Sequence, residues 1–287
     1  MLTIFTCPKP FTDPYINMIQ RNAITSWTLL RPRPEIILFG GEPYEPGVAE
    51  ICQELGLRHV PTVLRNEWGT PFLDDIFQKA NDLSSYDILA YVNADIILTN
   101  DFPLAVRTLT RLYPFFLMVG HRIDLNVEGL LEFDSNNKWV EILRHNAKQK
   151  GLPMKISSDY FVFPKGLLKK MPSFLVGRPA WDNWLIWYFR KHHVPVINVG
   201  EVVLAVHQIC KETENWLNTK SVRIREEVKY NRSLATWWQS SFVLVDATHV
   251  VISRWKIRRN TFRAVLHRGR ILFNYIRYAV SSRIHRL

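Results

Sequence analysis

The sequence has little cysteine and no long apolar run, and each lack excludes a class of protein. Its three cysteines, Cys7, Cys52 and Cys210, lie far apart in 287 residues. That spacing predicts neither a disulfide framework nor a Cys/His metal site, so reduced thiols and a cytoplasmic location are expected. No apolar run reaches about eighteen residues, so no transmembrane helix is predicted. Residues 1–8 lack the basic and apolar regions of a signal peptide.

Acidic residues are absent from 251–287, although this segment contains ten arginines and lysines. The whole chain carries a net charge of +11, so residues 1–250 are nearly neutral, with 27 basic and 26 acidic residues. The charge pattern predicts a domain at 1–250 and a basic tail at 251–287. It includes Arg254, the first of the ten basic residues.

Apolar residues of this tail recur at helical spacing beside a stripe of basic ones. The apolar stripe consists of Phe262, Leu266, Phe273, Ile276 and Val280. A basic amphipathic helix of this kind binds an anionic membrane surface, which would give a peripheral position on the inner face of the membrane. Alternatively, the stripe packs on the domain. Nucleic acid is not the expected partner, because no nucleic-acid motif accompanies the charge.

Strand-length apolar runs alternate with helical patterns over the first hundred residues. Strands are predicted at 2–7, 35–39, 57–64 and 87–92, with helices at 14–27, 47–55 and 72–83 between them. This alternation predicts an α/β fold with a mixed, mostly parallel sheet flanked by helices. Further predicted elements are helices at 102–113, 138–150 and 181–193, strands at 115–124, 158–163, 194–199, 202–207 and 242–245, and a polar loop at 209–230.

The fourth apolar run ends on Asn93-Ala94-Asp95. Polar side chains at the carboxyl end of a buried strand are costly to bury unless they bind something, and ligands of open α/β sheets bind there. A carboxylate at this place suits a divalent cation shared with a substrate phosphate. The alternative is a pair of turn-capping side chains.

Three more positions carry candidate chemistry. Asp182 begins a predicted helix, where it acts either as a general base or as an ordinary helix cap. His207 ends a strand and could complete a metal's coordination, or be a structural residue. Arg65, after the third strand, could face a nucleotide, or lie in a solvated loop.

Taken in chain order, eight segments resemble the nucleotide-sugar glycosyltransferases of the GT-A fold, and within them the family 2-like transferases of bacterial type. The segments are 3–11, 20–23, 35–40, 65–71, 91–98, 159–164, 177–185 and 206–208. The resemblance implies transfer of a sugar from a nucleoside-diphosphate sugar to an acceptor hydroxyl, with inversion and with Mn²⁺ or Mg²⁺. It also implies a role in surface glycan or glycolipid synthesis, with a glycan or lipid-linked acceptor.

The resemblance also implies roles for individual residues. Asp182 matches the catalytic base, and Asp95 and His207 match metal ligands. Asn93 departs from the family's D-x-D motif by replacing its first Asp. The implied donor-binding residues are Thr6, Pro8, Glu42, Arg65, Asn93 and Asp95, and the implied acceptor-binding residues are Asp159, Trp181 and Asn183.

Two other functions compete with glycosyl transfer. A sugar nucleotidyltransferase uses a similar sheet, but its glycine-rich phosphate loop is missing from Thr6-Cys-Pro-Lys-Pro10, which contains no glycine. A non-catalytic carbohydrate-binding or membrane-surface protein could share the sheet without the chemistry.

Overall fold

The computed structural model describes residues 1–134, 136–209, 221–253 and 256–284; at 261 and 274–284 it describes the backbone. The predictions for Cys210 and Arg254, for residues 210–220 of the predicted loop and for the side chains of Ile276 and Val280 lie outside the described residues. Cys7 and Cys52 are buried free thiols, as expected. Among the described residues, no helix is long and apolar enough to cross a membrane.

The first half alternates strand and helix as predicted. Its strands are β1 (Thr3–Thr6), β2 (Glu35–Phe39), β3 (Arg58–Val60) and β4 (Ile88–Val92), and its helices are α1 (Pro14–Thr28), α2 (Val48–Leu55) and α3 (Leu73–Leu83). Asp13 caps α1 by accepting a hydrogen bond from the Ile16 amide, with proline in the first turn. All five residues of β4 are buried, which explains its continuous apolar run.

The second half adds seven strands to the same sheet. They are β5 (Ile96–Leu98), β6 (Leu117–Leu125), β7 (Leu152–Pro164), β8 (Val196–Asn198), β9 (Ala205–Gln208), β10 (His249–Ile252) and β11 (Lys256–Arg259). The helices are α4 (Asp101–Leu112), α5 (Lys138–Lys150), α6 (Trp181–Lys191), α7 (Val222–Leu234), α8 (Trp237–Ser240) and α9 (Thr261–Ile284), and Leu244–Asp246 is a 3-10 helix.

The main path of the sheet runs β11-β10-β8-β6-β7-β4-β1-β2-β3, with β5 and β9 paired beside it. Six of the ten pairings among described strands are parallel, which confirms the predicted mixed, mostly parallel sheet. Strand β7 runs antiparallel to both β4 and β6 and joins the two halves. Apolar clusters cover both faces of the sheet.

Two predictions for the second half were wrong. The predicted loop at 209–230 contains the start of α7, whose buried side includes Glu227 and Asn231. This helix buries polar groups against polar partners, so its sequence lacks an apolar stripe. The predicted strand at 242–245 is replaced by the 3-10 helix, where the Asp246 carboxylate accepts a hydrogen bond from the Val243 amide.

The predicted domain boundary at residue 250 lies inside β10, which pairs with β8. One strand of the sheet therefore crosses the predicted boundary. The division of the chain into a domain and a tail stays a prediction. Helix α9 follows β11 and packs against the 3-10 helix through Arg268, which donates two hydrogen bonds to the buried Asp246 carboxylate at 2.7 and 2.9 Å. His267 contacts the same carboxylate at 3.2 Å.

We expect Arg268→Ala to lower the free energy of unfolding by about 3 kcal/mol, because it leaves the Asp246 carboxylate buried without its main partner. Urea denaturation measures this change. Arg270→Ala, at an exposed position of the same helix, is the control and should change stability by less than about 0.5 kcal/mol. Equal losses in the two variants would contradict the role given to Asp246.

Candidate functional site

A cavity of about 1600 Å³ opens at the carboxyl ends of β1 and β4. Residues directly following these strands line it, among them Pro8, Asn93 and Asp95. The first residues of α6 line the same cavity. Ligands of open α/β sheets bind at this position, so the cavity is the candidate functional site.

Strand register brings distant polar residues together here. Val92 pairs with Tyr160, and the Asn93 amide donates a hydrogen bond to the Asp159 carbonyl at 2.9 Å. His207 of β9 pairs with Asp124 of β6 on one side and with Ile96 of β5 on the other. Four segments separated by long stretches of chain therefore meet at one sheet edge.

A continuous chain of polar contacts, here called the carboxylate chain, connects these segments. It consists of Asn93, Asp159, Arg122, Asp124, His207 and Asp95. Asn93 Nδ2 donates to Asp159 Oδ1 at 2.7 Å. Arg122 donates from Nη1 to Asp159 Oδ2 and from Nε to Asp124 Oδ1, both at 2.7 Å. Because one guanidinium binds two carboxylates, it fixes their relative position.

Asp95 ends the carboxylate chain and faces the cavity. Its Oδ1 is buried without a hydrogen-bond partner among the described residues, and its Oδ2 lies 3.6 Å from His207 Nε2. Burial alone would raise the pKa of Asp95, but the neighbouring His207, Lys9 and Arg122 outweigh it and lower that pKa. An ionised carboxylate oxygen without a partner is poised to bind a cation or a donor group.

His207 is oriented by a neighbouring carboxylate in a way that also suits cation binding. Its Nδ1 lies 2.9 Å from Asp124 Oδ1, and since an ionised carboxylate only accepts, Nδ1 carries the proton. Burial lowers the pKa of His207, but the hydrogen bond to Asp95 and the charge of Asp95 outweigh it and raise that pKa. Metal binding requires the neutral ring, whose Nε2 lone pair faces Asp95. A carboxylate that orients a histidine in this way is typical of histidine metal ligands.

Asp95 and His207 thus fit a divalent metal as two protein ligands. No group of three or more metal-ligating side chains occurs in the part of the chain that the structure describes. A metal held here would need its remaining ligands from substrate or water, which is the way Mg²⁺ is commonly bound beside phosphates.

Asp182 lies in the first turn of α6, after Ala180, whose φ of 89° is in the left-handed region. Burial raises the pKa of Asp182 to about 6; the negative charge of Asp159 adds to the rise, while backbone amides at the helix start oppose it. A carboxyl with a pKa near 6 can exchange protons close to neutral pH.

Tyr44 and Glu45 also line the cavity. Arg65 binds the buried Glu45 carboxylate through both terminal nitrogens, at 2.7 and 2.5 Å, and its guanidinium lies 4.4 Å from the Tyr44 ring centroid. Gly69, with φ of 80°, lies against that ring, where a Cβ would come within 2.2 Å of a ring carbon. The loop thus holds an exposed aromatic ring at the cavity wall.

Most of the predicted site residues line this one cavity. They are Thr6, Pro8, Asn93, Asp95, Asp159, Trp181, Asp182, Asn183 and His207. Glu42 and Arg65 are not among its lining residues, and Arg65 instead lies behind Glu45. The Trp181 ring packs edge-on against the buried Tyr91 ring at 5.1 Å, and Asn183 donates to the Phe242 carbonyl. The roles of these residues stay predictions.

Sequence reasoning missed Arg122, Asp124 and Glu45. Arg122 and Asp124 are two residues apart at the end of a predicted buried strand, so both side chains project to one face of the sheet. Charged residues at the end of such a strand were the signal that could have identified them as site residues. Glu45 sits in a turn after the second strand, and its pairing with Arg65 depends on tertiary structure.

Comparison with known proteins gives structural neighbours only. No protein-family model matches the chain, and no curated protein matches it.

Structures of nucleotide-sugar glycosyltransferases, the group that the sequence resembles, occur among the matches. TarS of S. aureus in complex with UDP-GlcNAc is 9% identical over 46% of this chain, at a TM-score of 0.34, and only 37% of the TarS chain is covered. The mannosyltransferase PcManGT of Pyrobaculum calidifontis, in complex with GDP-Man and Mn²⁺, is 14% identical over 83% of this chain and 71% of its own, at 0.45.

A Bacillus anthracis protein assigned as a glucose-1-phosphate thymidylyltransferase also matches. It is 9% identical over 84% of this chain and 98% of its own, at a TM-score of 0.42. All three TM-scores lie below 0.5, so the function proposed below rests on the residues of this chain.

We expect the Asp182 carboxyl to titrate with a midpoint near pH 6 when followed by carbon NMR of its side chain. Asp159→Asn should lower that midpoint, since it removes a nearby negative charge. Glu141→Gln, which neutralises an exposed carboxylate of α5, should leave it unchanged. A midpoint of about 3.9, the ordinary value for Asp, would contradict the buried environment described.

Proposed function

We propose that the protein is a glycosyltransferase that moves a sugar from a nucleoside-diphosphate sugar to an acceptor hydroxyl. One observation carries the proposal: two carboxyl groups of different character line the same cavity. Asp95 is ionised and has an oxygen with no hydrogen-bond partner among the described residues, and Asp182 has a raised pKa. The first suits the phosphate end of a donor, and the second suits removal of a proton from an acceptor.

The carboxylate chain offers a place for a divalent cation. Asp95, Asp124 and Asp159 bring three carboxylates together, and Arg122 binds two of them. Four further basic side chains line the cavity and suit an anionic donor: Lys9, Arg178, Arg223 and Arg232. A metal held by Asp95 and His207 would neutralise the charge that develops on the departing diphosphate. Mn²⁺ and Mg²⁺ are the candidate ions.

The nucleoside would lie toward the carboxyl ends of β1 and β2. Tyr44 offers an exposed ring there, and Glu45, held by Arg65, offers carboxylate oxygens to base or ribose donors. Thr6 and Pro8 line the same end of the cavity. The diphosphate would then extend toward Asp95, within reach of Lys9 and Arg122.

Asp182 would act as the general base. Its carboxylate takes the proton of the acceptor hydroxyl while the acceptor oxygen attacks the anomeric carbon, and the bond from that carbon to the diphosphate oxygen breaks. A single displacement of this kind inverts the anomeric centre. Trp181 and Asn183, beside the base, and Asp159, whose charge helps to raise the pKa of Asp182, are the proposed acceptor contacts.

Asp182→Asn should lower turnover by roughly 10²- to 10⁴-fold, which is the usual contribution of a general base, with little change in donor binding. Steady-state kinetics and donor titration measure the two effects. Asp87→Asn alters an exposed residue at the opposite end of β4 and should retain full activity.

The pH profile gives an independent readout for the same variants. The base works only when ionised, so kcat/KM of the unmodified protein should fall about tenfold per pH unit below pH 6. The Asp182→Asn variant should lose this acid limb. An unchanged rate and an unchanged limb in that variant would rule out Asp182 as the base.

Thermal unfolding with nucleotides tests the donor end. A ligand that binds only the folded protein raises its melting temperature, so one of UDP, GDP or CMP should do so in the presence of Mn²⁺ and lose most of the effect with EDTA. Asp124→Ala should weaken Mn²⁺ binding about 10- to 100-fold, because it removes the acceptor that orients His207. A nucleotide shift of equal size in Asp95→Asn and in Asp87→Asn would refute the Asp95 site.

A further inference from the structure

Helix α9 turns its apolar side chains outward. Phe262, Val265, Leu266, Leu272 and Phe273 are 46–76% exposed. Phe262, Leu266 and Phe273 follow one another at intervals of four and seven residues, so they form one stripe along the helix. We name these five side chains the apolar face of α9. Scattered exposed apolar residues are ordinary, but a contiguous patch of large ones marks an interaction site.

The opposite side of the helix is the side that packs on the protein. Ala264 is buried, and Arg268 reaches the buried Asp246. Arg268 also lies over the rings of Phe242 and Trp238, at 3.9 and 4.9 Å from their centroids. Of the two sequence-based alternatives, packing of the apolar stripe on the domain is therefore wrong for the described residues.

Basic side chains border the apolar face on one side. Arg263 and Arg270 are exposed along one border of it, and β11, which precedes the helix, exposes Lys256, Arg258 and Arg259. Residues 251–287 contain no acidic residue. The surface thus combines large apolar side chains with charge of one sign.

The neighbouring helix α8 contacts the packed side of α9. Trp238 contacts Arg268 of α9, while the adjacent Trp237 lines the cavity and is 46% exposed. Tryptophan is enriched at the boundary between lipid and water, where its ring is apolar and its N–H is polar. One exposed tryptophan of α8 therefore lies at the cavity, and its neighbour contacts the packed side of α9.

We infer that the apolar face of α9 docks on an anionic lipid bilayer. A bilayer surface offers both an apolar interior for the five side chains and negative headgroups for the neighbouring arginines and lysines. A second copy of this surface would bring like charges together, and nucleic acid would leave the apolar side chains in water.

Docking there would hold the protein at the membrane surface. If the proposed function is correct, the acceptor is then a hydroxyl on a lipid-anchored molecule, which is held at the same surface. This extension rests on the proposed function, whereas membrane docking does not.

Co-sedimentation of the full chain with vesicles tests the docking. Vesicles of phosphatidylcholine with about 30% phosphatidylglycerol should bind the protein at least tenfold better than phosphatidylcholine alone, and raised salt should weaken the binding. The double variant Phe262→Ser, Leu266→Ser should lose at least tenfold. Arg263→Gln with Arg270→Gln should lose binding to anionic vesicles only.

Matched controls remove the same chemistry elsewhere. Leu64→Ser with Ile142→Ser removes two exposed apolar side chains away from α9, and Lys148→Gln with Lys150→Gln removes two exposed charges of α5. Both should bind vesicles like the unmodified protein. Circular dichroism confirms that all variants are folded.

Three outcomes would overturn the docking. The first is equal binding to neutral and anionic vesicles, and the second is no loss of vesicle binding in the Phe262→Ser, Leu266→Ser variant. The third is that the unmodified protein does not bind vesicles and that this variant instead abolishes self-association or binding to duplex DNA. The assay contains no transfer step, so its failure is separate from failure of the proposed reaction. With a water-soluble acceptor, Phe262→Ser, Leu266→Ser should keep full transfer activity.

Discussion

The double ion pair of Arg122 is the interaction on which the candidate site depends. One guanidinium binds Asp159 of β7 and Asp124 of its own strand. Asp159 holds Asn93, and Asp124 holds His207, which faces Asp95. Without Arg122, the carboxylates of Asp124 and Asp159 would repel each other. The positions of the residues proposed to bind the donor and its metal therefore depend on Arg122, which was not predicted as a site residue. The strand register of β7 and β9 makes this arrangement possible.

Much of the first half of the fold could be predicted from the sequence, because its elements carry local signals. Asp13-Pro14 at the start of α1 and Gly56 at the end of α2 are examples. Asp95 could be found because it follows a wholly buried strand. Arg122 and Asp124 could not be placed with it. Arg122 meets Asp159 across the antiparallel pair of β6 and β7, whereas Asp124 meets His207 across the parallel pair of β6 and β9. Neither pairing of strands leaves a local trace in the sequence.

The structure of the later part of the chain was harder to predict from the sequence, because polar groups are buried there. Helix α7 buries Glu227, which accepts hydrogen bonds from Arg178 at 2.6 and 2.8 Å, and Asn231, which bonds to Leu175. Helix α9 packs through Arg268 on Asp246 and leaves its apolar residues outside. In both helices hydrophobic periodicity misleads, because a buried ion pair rather than apolar burial fixes which side faces the protein.

Asp95 and His207 are proposed to hold the diphosphate end of a donor through a divalent metal. Anomalous diffraction from crystals grown with Mn²⁺ and a nucleoside diphosphate tests this assignment most directly. We expect a manganese peak about 2.0–2.2 Å from an Asp95 oxygen and from His207 Nε2, with diphosphate oxygens completing the coordination. A diphosphate bound outside this cavity, or a manganese peak that contacts neither residue, would contradict it.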